Sequence, residues 1–137
     1  MISIVAGDTG EGKTRQLISM ANKSVKTSKG NIVFIDKCKK YSYEINHKVR
    51  LINTGEFPLM NANEFYGFVC GILSEDHDIH EIYFDELLKL AKIDIDSVSS
   101  LIDKLKKVSD RYNVHFIISI SCELKSLPEY LKEYLVA

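Results

Sequence analysis

The sequence predicts an α/β domain, an open and mainly parallel five-stranded sheet with helices on both faces, and three observations predict it. Four apolar runs of strand length, Ile2 to Ala6, Ile32 to Ile35, Ile82 to Phe84 and Val114 to Ile120, alternate with segments of helical spacing. The runs are continuous rather than alternating, the pattern of strands covered on both faces. A Gly-rich turn links the first run directly to the first helical segment.

Taken in order, Ile2 to Ala6 is a short strand ending at Gly7. Lys13 to about Lys26 is helical, with Leu17, Ile18, Ala21 and Val25 on one face and Gly30 as the stop. The second strand is Ile32 to Ile35. A polar stretch follows Asp36, and Val49, Leu51 and Ile52 suggest a third, shorter strand. Its connection, Asp36 to His47, is short for a helical crossover, which points to an antiparallel edge strand. Asn61 or Asn63 caps a helix carrying Phe65, Phe68, Val69, Ile72 and Leu73. After the fourth strand, Ile82 to Phe84, Asp96 caps an amphipathic helix with Val98, Leu101, Ile102, Leu105 and Val108 inward, stopped at Asn113. Val114 to Ile120 is the fifth strand. Leu127 to Val136 is a closing helix with Pro128 in its first turn.

At 137 residues, 45% hydrophobic and 27% charged, the chain reads as one globular domain with no internal linker or repeat. Eighteen Lys and Arg against 19 Asp and Glu give a net charge of −1, so nucleic-acid binding draws no support from composition. Three cysteines, Cys38, Cys70 and Cys122, are an odd number without C-x-x-C spacing, which suggests reduced thiols; Cys70 and Cys122 read as small buried hydrophobes. The longest apolar run, Phe65 to Leu73, is about half of what a bilayer requires, and no basic leader opens the chain. A cytoplasmic protein without a membrane span is expected.

Gly7-Asp8-Thr9-Gly10-Glu11-Gly12-Lys13-Thr14 satisfies G-x-x-x-x-G-K-[ST] at every specified position. With this composition the pattern arises by chance with a probability of roughly half a per cent. Its position between a strand and a helix is the setting of a phosphate cradle. Glycines allow the backbone to close around polyphosphate with its N–H groups inward. Lys13 supplies a cation for the β and γ phosphates, and the Thr14 hydroxyl a ligand for Mg²⁺. Arg15 lies beside the turn, within reach of the nucleotide or simply at the surface. Glu11 is the unusual member, because a carboxylate in the loop repels phosphate unless it points outward.

Ile82-Tyr83-Phe84-Asp85-Glu86 has the form of the second element such a loop needs, an apolar strand ending in two carboxylates. Asp85 is the metal anchor and Glu86 the group that polarises a water or hydroxyl. An Asp-Glu pair in this place also serves to cap a following helix, and the upstream loop favours the chemical reading. The fifth strand ends in Ser119-Ile120-Ser121. Either serine is placed to sense a γ phosphate, the alternative being a hydroxyl that satisfies local backbone.

These residues resemble the P-loop NTPases of the additional-strand, catalytic-glutamate division, which includes the RecA-like ATPases. More narrowly, the chain is similar to short stand-alone bacterial ATP-binding proteins sometimes labelled twitching-motility ATPases. The resemblance covers nearly the whole chain and implies strand order 3-2-4-5-1, with the sensor strand between the phosphate-loop and magnesium strands. It implies an Mg²⁺-dependent ATP-binding protein and slow ATPase, with Glu86, Lys13 and Ser119 or Ser121 catalytic and Gly7 to Arg15 holding the nucleotide. Two alternatives stand beside it: a nucleoside-type kinase similar to the RecA-like thymidine kinases, and a non-catalytic nucleotide sensor that binds a protein partner. A homo-oligomer is compatible with each.

Lys37, Lys39, Lys40, Tyr41 and Tyr43 interleave base and aromatic after the second strand. Such a segment is a solvated loop, a platform for single-stranded nucleic acid, or a cover over the nucleotide. With three arginines, Arg15, Arg50 and Arg111, the chain is poor in candidates for an Arg finger. His47, His77, His80 and His115 lack the spacing of a zinc site.

Overall fold

A computed structural model of the chain describes residues 1–10 and 12–136, so Glu11 lies outside the described residues. Five strands, β1 (Ile2–Gly7), β2 (Asn31–Asp36), β3 (Arg50–Asn53), β4 (Ile79–Phe84) and β5 (His115–Ser121), form one sheet. The order across it is β3-β2-β4-β5-β1, and every neighbouring pair is parallel. All five strands therefore end at the same edge. The sensor strand β5 lies between β1 and β4, so the strand ends expected to carry the site are consecutive across the sheet.

Four α-helices cover the two faces: α1 (Lys13–Ser24), α2 (Ala62–Glu75), α3 (Leu87–Ala91) and α4 (Val98–Tyr112). Strand periodicity sorts the core into two layers. Ile4, Ile35, Phe84 and Ile118 pack with α2, α3 and α4, whereas Val5, Phe34, Tyr83 and Ile117 pack with Leu17, Ile18 and Ala21 of α1. Edge-on contacts from Phe65 to Phe84 (5.7 Å) and from Phe84 to Phe116 (5.3 Å) tie α2 to β4 and β5. Pairs of this kind contribute about 0.5–1.5 kcal/mol each beyond area burial.

Several details differ from the sequence expectation. β3 is parallel to β2, not antiparallel. The intervening residues cross the α1 face through a 3₁₀ turn at Ser42–Glu44, with Ile45 and Val49 buried beneath, and this suffices for a crossover without an α-helix. α1 ends at Ser24, before Gly30, which instead leads into β2. Asp94, not Asp96, caps the turn before α4, accepting the Ser97 N–H at 3.2 Å. The expected closing helix is 3₁₀ over Leu124–Ser126 and Glu129–Tyr134, and Leu135 bridges to β1. Cys38 is exposed, and Cys70 and Cys122 are only half-buried. The cap at Asn61 and the left-handed stop at Asn113 fall where the sequence puts them. No described helix is long and apolar enough to cross a membrane.

Candidate functional site

The turn from β1 to α1 is shaped by two glycines. Gly10 and Gly12 have φ of 88° and 78°, a region costly for side chains, and a Cβ on either would project into open space. Gly12 is the residue before α1, with no side-chain cap and no acidic residue in the first helical turn. The helix thus presents its first N–H groups and the positive end of its dipole toward the turn with no compensating side chain among the described residues of its cap and first turn. Lys13 is only 6% exposed, and its Nζ donates to the Asp8 carbonyl at 2.6 Å, folding back over the turn.

The β4 end meets this turn from across the sheet. Thr14 Oγ1 lies 3.1 Å from Oδ1 and 3.0 Å from Oδ2 of Asp85, so one hydroxyl addresses both carboxylate oxygens. The Asp85 N–H is held by the Ile35 carbonyl of β2 at 3.0 Å. Ser119, wholly buried on β5, donates to Asp85 Oδ1 at 3.2 Å and accepts the Glu86 N–H at 2.7 Å. Ser121 donates to Glu86 Oε1 at 2.9 Å, and Lys89 pairs with Glu86 Oε2 at 2.7 Å. Glu86 itself is left-handed, with φ of 61°, which turns its side chain back from α3 to the strand end.

Two further groups belong to the site that strand-end reasoning at Asp85 did not extend to. Asp36 closes β2 at the same edge and is 7% exposed, its Oδ1 accepting the Lys37 N–H at 2.6 Å. It follows an apolar run just as Asp85 does, and that is the signal that marks it. Lys89, three residues after Glu86, requires knowing that α3 starts immediately after the strand. Thr9, Gly10, Gly12, Lys13, Thr14, Arg15, Asp85, Glu86 and Lys89 line one cleft of about 440 Å³, with Cys38, Lys40 and Tyr41 as its far wall. The basic and aromatic loop after β2 therefore reaches this cleft. Arg15 is largely exposed and faces Glu44 at 4.0 Å. Gly7 and Asp8 do not line this cleft; they border a separate groove with Glu123, Leu124 and Lys125.

The charges are unbalanced in a way that suits a cation. Burial, and then the neighbouring Asp36 carboxylate, raise the Asp85 carboxyl to about 6, against the hydrogen bonds from Thr14 and Ser119. Burial likewise raises Asp36, opposed by the amides of Lys37 and Cys38. Among the described residues no Lys or Arg pairs with either carboxylate. Burial also acts upward on Glu86, but the bonds from Lys89 and Ser121 and the charges of Lys89 and Lys13 outweigh it, leaving Glu86 below the usual carboxylate range. Among the described residues no three His, Cys, Asp or Glu side chains form a metal cage. The donors at hand, a hydroxyl and a buried carboxylate, are hard oxygens that suit Mg²⁺ bound jointly with a substrate.

No family model matches the chain, and no curated protein matches it. Among solved structures it is similar to the flagellar accessory protein FlaH from Methanocaldococcus jannaschii, with a TM-score of 0.63 at 13% sequence identity. The likeness covers 96% of this chain and 65% of that one, so the chain spans less than two-thirds of FlaH's length. At that identity the comparison shows the fold alone, a five-stranded parallel sheet flanked by helices.

Proposed function

We propose that the chain is an Mg²⁺-dependent ATP-binding protein that hydrolyses ATP slowly when alone. The observation that carries this reading is the meeting of Thr14 with Asp85, 71 residues apart in sequence, beside Lys13 and the uncapped start of α1. Thr14 and Asp85 would hold Mg²⁺, which when bound neutralises charge on phosphate oxygens. The amides of Gly10, Gly12, Lys13 and Thr14 and the Lys13 ammonium bind the polyphosphate. Glu86, lowered in pKa and aimed by Ser121 and Lys89, is an ionised base at neutral pH, suited to orient a water. Ser119 is too deeply buried to touch a ligand directly and acts by fixing Asp85 and the Glu86 backbone. Ser121, which contacts Glu86, is the better placed of the two serines to register a γ phosphate.

The test is binding and phosphate release across ATP, GTP and deoxynucleotides, with and without Mg²⁺. Lys13→Ala should abolish binding, and Glu86→Gln should retain it while turnover falls by about 10²- to 10⁴-fold. Unchanged affinity in Lys13→Ala contradicts the proposal. Release that requires an added nucleoside would instead assign a kinase, and tight binding without turnover a sensor.

A further inference from the structure

The formal charge of the chain is not evenly spread. Residues 13–48 hold nine of the 18 cations, Lys13, Arg15, Lys23, Lys26, Lys29, Lys37, Lys39, Lys40 and Lys48, against two acids, Asp36 and Glu44, for a net +7. All other residues together carry nine cations and 17 acids, a net −8. A near-neutral total therefore conceals a strongly polarised molecule.

The fold gathers the basic segment on one side. α1 and the β2–β3 connection cover the same face of the sheet, with Leu17, Ile18 and Ala21 packed in one layer with Ile45 and Val49. Asn22 clamps them together, donating to the Glu44 carbonyl at 2.9 Å and accepting the Asn46 N–H at 2.8 Å. Every cation of the segment except Lys13 is exposed. Among the described residues, Lys23, Lys26, Lys29, Lys37, Lys40 and Lys48 have no acidic partner, whereas Lys39 pairs with Glu56 and Arg15 with Glu44. A groove of about 360 Å³ runs between α1 and Glu44, lined by Arg15, Lys23 and Lys26 among others, and Arg15 is shared with the nucleotide cleft.

On this surface stands Tyr43, 88% exposed, while Tyr41 is topped by the Lys40 ammonium 5.4 Å from its ring. We propose that the α1 face and the β2–β3 connection bind single-stranded nucleic acid, the lysines neutralising phosphates and Tyr43 offering a stacking platform for an unpaired base. Stacking requires bases out of the duplex, which selects single strands. An anionic membrane is the poorer partner, because it calls for apolar side chains among the cations. Of the eight large hydrophobic side chains exposed among the described residues, only Tyr43 lies in this segment.

The experiment is fluorescence anisotropy of the full chain with labelled oligothymidylate and oligouridylate of about 15 nucleotides, and with a duplex of equal length. Neutralising three or four phosphates predicts a slope of about −2 to −3 in log affinity against log salt. Lys23→Glu with Lys26→Glu should weaken binding at least about tenfold at low salt and flatten that slope by about 1.4. Tyr43→Ala should weaken it about fivefold and leave the slope in place. Lys104→Glu with Lys107→Glu, on α4, should change neither. These positions lie outside the nucleotide cleft, so ATP affinity remains at the parent value and the two proposals fail or survive separately. No binding at about 50 mM salt overturns the inference. So does binding indifferent to both basic-face variants, or equal affinity for duplex with no effect of Tyr43→Ala. Capture by phosphatidylserine vesicles that the oligonucleotides do not displace overturns it in favour of a lipid surface.

Discussion

Ser119 Oγ accepts the backbone N–H of Glu86 at 2.7 Å, and this one contact holds the strand end in the shape that the cleft requires. The same hydroxyl donates to Asp85, so its loss orphans an amide and frees a carboxylate. Ser119→Ala should destabilise the protein by about 1–3 kcal/mol, the cost of leaving a buried donor unpaired. Ser121, half-exposed, can be replaced by water, and Ser121→Ala should cost less than about 1 kcal/mol. Thermal denaturation separates them, at about 3 °C per kcal/mol for a domain of this size. Equal melting temperatures would contradict the structural role assigned to Ser119.

Among the described residues Glu86 is one of three non-Gly residues with positive φ, and its surroundings differ from those of the other two. Lys92 and Asn113 end helices, where a left-handed residue is ordinary. Glu86 stands before a helix and keeps both carboxylate oxygens engaged. Lys92→Gly, exposed and without an ion pair among the described residues, should stabilise by about 0.5–1 kcal/mol with turnover unchanged. Glu86→Gly relieves the same strain but should lose turnover while its stability stays within about 1 kcal/mol of the parent. Urea denaturation alongside phosphate release tests both. Retained turnover in Glu86→Gly would remove Glu86 from the chemistry.

Much of this arrangement was legible because buried parallel strands leave an unambiguous trace. Ile32 to Ile35 and Val114 to Ile120 can be little else, and the glycines before Lys13 mark a turn in which Gly10 and Gly12 take the left-handed backbone. Local signals misled where tertiary packing decided the outcome. The β3 direction depended on Ile45 and Val49 finding cover beneath a 3₁₀ turn, which no short-range pattern encodes. The closing segment from Leu127 has helical spacing, yet among its described residues Leu127 and Leu131 alone are fully buried, with Tyr134 and Leu135 at the margin of the core, and the chain settles for 3₁₀ turns and a bridge to β1. Asp36 carries the same local mark as Asp85, an acid after an apolar run, and the implied strand order already sets β2 beside β4; what no short-range pattern encodes is that its carboxylate is buried close enough to Asp85 to raise that group.

The two roles of glycine in this chain should separate by mutation. At Gly12 an added Cβ meets nothing within 4 Å, so Gly12→Ala pays only the left-handed backbone cost, about 1–2 kcal/mol. At Gly30 a Cβ would collide with the His80 ring and lie 2.5 Å from the Asp78 carbonyl, which holds the Asn31 N–H at the start of β2. The ring can swing away; the backbone cannot. Gly30→Ala should therefore be the more destabilising, by about 1–3 kcal/mol beyond Gly12→Ala, yet leave ATP affinity nearly intact. Gly12→Ala should do the reverse, because its methyl group would stand in open space beside the turn proposed to hold phosphate. Melting curves and nucleotide titrations on the two variants should rank them in opposite orders.

The buried carboxylates give stability an unusual pH dependence. Asp85 titrates near 6 in the folded chain against about 3.9 when unfolded, so between those values the folded state binds more protons. Its contribution is fully present below the unfolded value, falls as pH rises through 6, and amounts to about 2–3 kcal/mol in total. Asp36, also raised, acts in the same direction. Without nucleotide or Mg²⁺, stability from these groups should decline from pH 4 to pH 7, opposite to the usual behaviour of ion-paired acids. Asp85→Asn removes the larger part of this slope and should stabilise the ligand-free protein at pH 7.5 by about 1–3 kcal/mol, because a neutral amide needs no proton to be buried. Chemical denaturation of parent and variant at pH 5 and pH 7.5 measures the difference. The same substitution should abolish any gain in stability from ATP with Mg²⁺, since the site loses its charged donor. A variant that keeps both the pH slope and the ligand-induced gain would show that Asp85 carries neither.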